Sequence, residues 1–116
     1  MKTTRQRFDF DTAADFLSVL ANRKRLLVLR MISENELKVG ELAVSTGLSQ
    51  SALSQHLAVL RANGLVTTRR VAQTIYYSCS SAVVITMLET IDSLNATPSG
   101  SIKDHAARLD ETLKNQ

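Results

Sequence analysis

Cysteine, proline and tryptophan are nearly missing from this chain, which has one Cys, one Pro and no Trp in 116 residues. The lone Cys79 closes no intramolecular disulfide and is too little for a cysteine metal cage, which agrees with a reducing compartment. Four scattered glycines exclude a glycine-rich phosphate loop. No Cys or Ser pairs with a plausible base and the carboxylates are dispersed, so an enzyme is not expected. A run of about 18 apolar residues, the length that spans a bilayer, is also lacking. The N-terminal stretch carries Asp9, Asp11 and Asp15 where a signal peptide would have its apolar core. These absences lead us to expect a cytoplasmic protein with no membrane partner and no cofactor. Its one domain has room for a modest core that dimerisation would enlarge.

Negative charge is absent from the middle of the chain. The net charge is +3, yet no Asp or Glu lies between Glu41 and Glu89, while Arg61, Arg69 and Arg70 do. Residues 80 to 116 instead carry five acidic and three basic side chains. A polyanion would therefore meet the middle segment and avoid the C-terminal one.

The chain is organised around Leu48 to Leu60. Ser49 suits an N-cap, because its hydroxyl can accept a bond from a first-turn amide. At 100° per residue Leu53, Leu57 and Leu60 then share a core-facing side, and Ser51, Ser54, Gln55, Ala58 and Ala62 share the opposite one. Gly47 suits the left-handed residue that ends a preceding helix. Helix, Gly turn and capped helix within about 25 residues outline a helix-turn-helix, whose second helix enters the DNA major groove.

The remaining segments follow from periodicity. Residues 1–10 read as a flexible arm. From a cap at Asp11 or Thr12, Ala13, Phe16, Leu17 and Leu20 recur at helical spacing. Asn22 caps a second helix, Arg23 to Ser33, whose first turn crowds Arg23, Lys24 and Arg25 as either a solvated basic turn or a phosphate contact. Val39, Leu42 and Ala43 begin the first helix of the helix-turn-helix, and Gly64 closes the second. Residues Leu65 to Arg70 and Thr74 to Ser78 are rich in β-branched and aromatic side chains and read as a hairpin about Val71-Ala72-Gln73. Ser81 to Asn95 is helical again, with a wide apolar stripe of Val84, Met87, Leu88, Ile91 and Leu94. The main domain thus spans 11–95. Residues 96–116 form a linker and a tail, in which Ile102, Ala106, Leu109 and Leu113 make either an amphipathic helix or a frayed end.

This order resembles the winged-helix repressors of the ArsR/SmtB family, over about residues 12 to 95. The likeness is carried by Leu20-Ala21-Asn22-Arg23-Lys24-Arg25-Leu26, by Leu48 through Leu60 and by Arg69 through Ser78. It implies a mainly α fold with a small β-hairpin, a winged helix-turn-helix of order α-α-α-α-β-β-α, working as a homodimer on double-stranded DNA. The departures bear on the signal. Arsenite and cadmium sensors of the family carry a Cys-x-Cys pair at positions matched here by Ala43 and Ser45. Zinc sensors use His and carboxylates on the last helix, where this chain offers only Glu89 and Asp92. Persulfide sensors use two cysteines. No metal site is therefore expected, unless Cys79, His105 or tail carboxylates combine across two chains, and no inducer is indicated. Many members have Pro where Arg23 stands and Gly at the wing tip, which here reads Val71-Ala72.

For DNA contact the candidates are Gln50, Ser51, Ser54 and Gln55, whose amides and hydroxyls can pair with base edges. Gln50 and Ser51 have the alternative of capping the helix or binding phosphate. His56, on the flank of the leucine side, suits either a half-buried hydrogen bond or a phosphate. Arg69, Arg70, Gln73 and Thr74 are assigned to wing contacts with the DNA backbone or minor groove, against ordinary solvated charge. One of Tyr76 and Tyr77, which alternate across their strand, is expected in the core, and Cys79 is read as a small buried residue before a redox switch. A second subunit is expected on Phe16, Leu17, Leu20, Val84, Met87, Leu88 and Ile91. The function expected is a sequence-specific repressor on an inverted-repeat operator. The alternative is a winged-helix interaction dimer that does not read DNA, which salt dependence would distinguish.

Overall fold

A computed structural model describes residues 9–96 and 102–114. Two units divide the chain after Ser80. The first holds α1 (Phe10–Leu20), α2 (Arg23–Glu34), β1 (Leu37–Lys38), α3 (Val39–Thr46), α4 (Gln50–Ala62), β2 (Thr67–Val71) and β3 (Thr74–Ser78). The second holds α5 (Ala82–Ala96) and α6 (Ile102–Lys114). The mainly α winged helix-turn-helix expected from the sequence is the fold observed, with one strand more than the hairpin.

Side chains set the helix boundaries. Asn22 Oδ1 accepts from the Arg25 amide at 3.0 Å, and Ser49 Oγ from the Ala52 amide at 3.1 Å, so both expected caps are in place. For α1 the cap is Asp9, two residues ahead of the expected pair: it accepts from the Thr12 amide at 3.2 Å and the Thr12 hydroxyl at 2.7 Å. Those bonds hold the Asp9 carboxyl below its ordinary range. Phe10 therefore belongs to a helix and not to the arm, whose residues 1–8 lie outside the described residues. Glu41 Oε1 accepts from the Lys38 amide at 3.0 Å and steadies the first turn of α3. Gly64, at φ 71°, ends α4 in a Schellman turn: its amide donates to Arg61 O and that of Leu65 to Leu60 O, both at 3.0 Å. Leu65 and Val66, buried at 8% and 5% exposure, precede β2 instead of opening it.

The core of the first unit is made where α2, α3 and α4 pack on one another. Val28, Leu29 and Ile32 of α2, Leu42 of α3, and Leu53, Leu57 and Leu60 of α4 are each no more than 2% exposed. At roughly 1.5–3 kcal/mol for each buried leucine-sized side chain, these seven dominate what fixes α4 in place. Thr46 is the buried polar residue among them, and its hydroxyl donates to Leu42 O at 2.7 Å while accepting from the Leu48 amide at 3.3 Å. Lys24 Nζ also donates to Thr46 O. A cation thus sits on the carbonyl end of α3, where the helix dipole favours it, which for Lys24 is neither of the two roles expected of that basic turn, while Arg23 is exposed.

The sheet is antiparallel in the order β1-β3-β2, with Leu37 opposite Tyr77, Lys38 opposite Tyr76 and Arg69 opposite Tyr76 on its other side. A two-stranded hairpin is marginal in water, and β1 gives it a third strand ahead of the helix-turn-helix. The hairpin closes through Ala72 and Gln73, with Val71 opposite Thr74 and Ala72 at φ 55°, a left-handed conformation unusual for a residue with a β-carbon.

In the second unit Ser81 Oγ accepts from the Val84 amide at 3.3 Å and caps α5. Val84 and Leu88 are buried, at 1% and 6%. The tail beyond the expected linker is the helical alternative: α6 carries Ile102, Leu109 and Leu113, all exposed. Of that linker, Ala96 ends α5, and 97–101 lie outside the described residues.

Candidate nucleic-acid interface

The helix-turn-helix is α3, Gly47 and α4. Gly47 sits at φ 73°, ψ 14°, the left-handed conformation that a non-glycine adopts at a cost, and its amide donates to Ala43 O at 3.0 Å. Beyond it α4 buries Leu53, Leu57 and Leu60 and leaves Gln50, Ser51, Ser54, Gln55, Ala58 and Ala62 exposed. Ser51, Ser54 and Gln55 are thus open on the side opposite the leucines, Gln50 is open in the first turn, and His56 is half-buried on the flank of the leucine side. No acidic residue stands in the first turn of α4. The positive end of the helix dipole is consequently left to an outside anion or acceptor.

The wing gathers the remaining candidates. Gln73 and Thr74 line an open groove of about 330 Å³ with Lys38, Val39, Gly40, Ile75 and Tyr77. Lys38 was not anticipated: it is a wing cation supplied by β1, a strand of two residues with no periodic signal of its own. Arg70 is exposed, and no ion pair to it occurs among the described residues. Arg69 is different. Its Nη2 lies 2.6 Å from Glu36 Oε1 and its Nε 3.1 Å from Oε2, with the guanidinium 5.2 Å from the centre of the Tyr76 ring. The segment that is free of acid in sequence is thus not free of it in space, because Glu36 comes from before β1 to meet β2. The Arg69 bond holds the Glu36 carboxyl below its usual range, and Glu36 holds Arg69 above its own.

Tyr76 and Tyr77 are both half-buried, so neither is the core residue expected of one of them. Cys79 is buried at 4% exposure, and its amide donates to Ile32 O at 3.0 Å. Among the residues expected at a subunit contact, Leu20, Val84 and Leu88 are buried within the chain, Phe16, Met87 and Ile91 are half-buried, and Leu17 is 52% exposed. Phe10, at 75%, and Val83, at 60%, are open apolar side chains that pattern reading left out. Among the described residues no three His, Cys, Asp or Glu side chains converge as metal ligands, and no helix is long and apolar enough to cross a membrane.

A recognition helix with an exposed polar face, backed by buried leucines and followed by a basic wing, defines a winged helix-turn-helix regulatory protein. Residues 22–68 match the model of the arsR family of bacterial regulatory proteins. Nodulation protein NolR of Rhizobium meliloti is 50% identical over 96 residues, 83% of this chain and 79% of its own. The crystal structure of NolR from Sinorhizobium fredii superposes with a TM-score of 0.72 at 48% identity, over 84% of this chain and 99% of that one. The transcriptional activator HlyU of Vibrio cholerae is 52% identical over 82 residues, 71% of this chain and 76% of its own. A Mycobacterium bovis structure described as a homodimeric winged helix-turn-helix DNA-binding domain matches with a TM-score of 0.65 at 26% identity, over 78% of this chain and 89% of that one. The chain belongs to the ArsR family and is a transcriptional regulator.

Proposed function

We propose that this regulator is a homodimeric repressor, active in the cytoplasm, that binds an inverted-repeat operator in double-stranded DNA and blocks polymerase there. It acts by binding, with no catalytic step. The observation that carries the reading is the exposed, acid-free face of α4 held rigid by three buried leucines. Gln50, Ser51, Ser54 and Gln55 read base edges in the major groove. His56, Arg69, Arg70, Gln73 and Thr74, joined by Lys38, hold the phosphate backbone and set the register.

A two-fold axis relating two such helices makes the target a short inverted repeat. Dimerisation draws on apolar surface left open on α1 and α5, at Phe10, Phe16 and Leu17 on the former and at Val83, Met87 and Ile91 on the latter. A groove of about 430 Å³ on α5, lined by Ala82, Val83, Thr86, Met87 and Thr90, offers a place for a partner's side chain. With Ala43 and Ser45 at the thiolate positions of the family's arsenite sensors, repression proceeds without a metal, and zinc or arsenite titrated onto the protein–operator complex leaves affinity unchanged. The test of the function is selection from randomised duplexes. Recovery of a two-fold symmetric site supports it, and recovery of no preferred sequence, with binding insensitive to salt, favours the interaction-dimer alternative.

A further inference from the structure

We propose that Glu36 sets the affinity of the wing for DNA by holding the Arg69 guanidinium in an ion pair that a phosphate must displace. This rests on the DNA-binding reading above. The pair is a fork of three bonds, Nη2 to Oε1 at 2.6 Å and Nε to both carboxylate oxygens at 3.1 and 3.2 Å, laid across the Tyr76 ring. Carboxylate and phosphate present the same bidentate acceptor geometry to a guanidinium, so the two compete for one donor set. The pair is also open to solvent, with 57% of the Arg69 side chain and 33% of the Glu36 side chain exposed. An exposed pair is held weakly, and it is exchanged instead of being permanent.

The consequence is an ion count. When a free arginine neutralises a phosphate, about 0.9 of a counterion leaves the DNA. As long as Arg69 stays paired with Glu36 it neutralises no phosphate, and that counterion is not released. Glu36 therefore lowers both the affinity and its salt dependence, and it does so through Arg69 alone.

Binding of the full chain to its selected operator, measured by fluorescence anisotropy from 50 to 200 mM KCl, tests this with Glu36→Ala, Arg69→Ala and the double variant. Glu36→Ala is expected to bind more tightly and to steepen the slope of log K against log salt by up to about 0.9 per protomer. The affinity ratio of variant to parent then grows by up to about 3.5-fold per protomer between 200 and 50 mM. In the Arg69→Ala background the same substitution is expected to leave the slope alone, which separates release of the arginine from mere loss of a negative charge near DNA. An unchanged or shallower slope for Glu36→Ala, or a steeper one that persists without Arg69, overturns the proposal while the parent's salt-dependent binding upholds the DNA reading. Parent binding that ignores salt removes both.

Discussion

Gly47→Ala tests the turn on which the orientation of α4 depends. Gly47 is left-handed, at φ 73°, and a β-carbon there would meet nothing within 4 Å. The penalty is therefore in the backbone alone. Forcing an alanine into that region costs about 1–2 kcal/mol, and the loss of chain freedom in the unfolded state returns about 0.4–1 kcal/mol. The net expectation is a destabilisation of about 0.5–1 kcal/mol. Gly40 supplies the control, since it lies in the first turn of the same helix, also has open space around it, and does not have a positive φ. There the same chemical change should stabilise, by up to about 1 kcal/mol, through helix propensity. Ala72, at φ 55°, completes the set, because Ala72→Gly relieves the strain that Gly47→Ala introduces and should stabilise or be neutral. Urea unfolding followed by circular dichroism reads all three. A Gly47→Ala protein as stable as the parent, or Gly40→Ala and Gly47→Ala shifting in the same direction, would refute the left-handed turn.

Leu57→Ala, at a side chain 2% exposed, should cost about 2–5 kcal/mol in the same assay while leaving the preferred operator unchanged below the melting transition. Thr46→Val keeps the shape but strips the bonds to Leu42 O and the Leu48 amide; about 1–3 kcal/mol is expected, and a neutral result would mean that water reaches the turn. Glu36 ionises below its ordinary value of 4.5 because Arg69 bonds its charged form. Stabilisation from the pair is therefore present above pH 4.5 and lost as pH falls through the lowered folded value. Carboxyl carbon NMR should show that low midpoint and its return upward in Arg69→Ala; an identical midpoint in both proteins would mean that the pair does not persist in solution.

What sequence could reveal here was local. Ser49, Asn22 and Gly47 act through neighbours three or four residues away, and the leucine side of α4 follows from helical period, so helix, turn and exposed face were all legible. The α1 cap was misplaced because Asp9, Asp11 and Thr12 are all competent caps within four residues and only backbone geometry chooses among them. β1 is two residues long, too short for alternation to register, and with it Lys38 was overlooked. Glu36 and Arg69 are 33 positions apart, joined only once β3 lies between β1 and β2. Leu20, Val84 and Leu88, expected at a subunit contact, are buried in the single chain, because apolar spacing is the same whether a side chain is covered by its own chain or by a second subunit.

Whether the open face of α4 reads bases is tested most directly by comparing the parent with Gln55→Ala on the selected operator and on duplexes changed one base pair at a time. The expectation is a loss of about 1–3 kcal/mol of discrimination confined to one or two base pairs in each half-site, with stability and salt slope unchanged. A loss spread evenly over every duplex, or none, would contradict it.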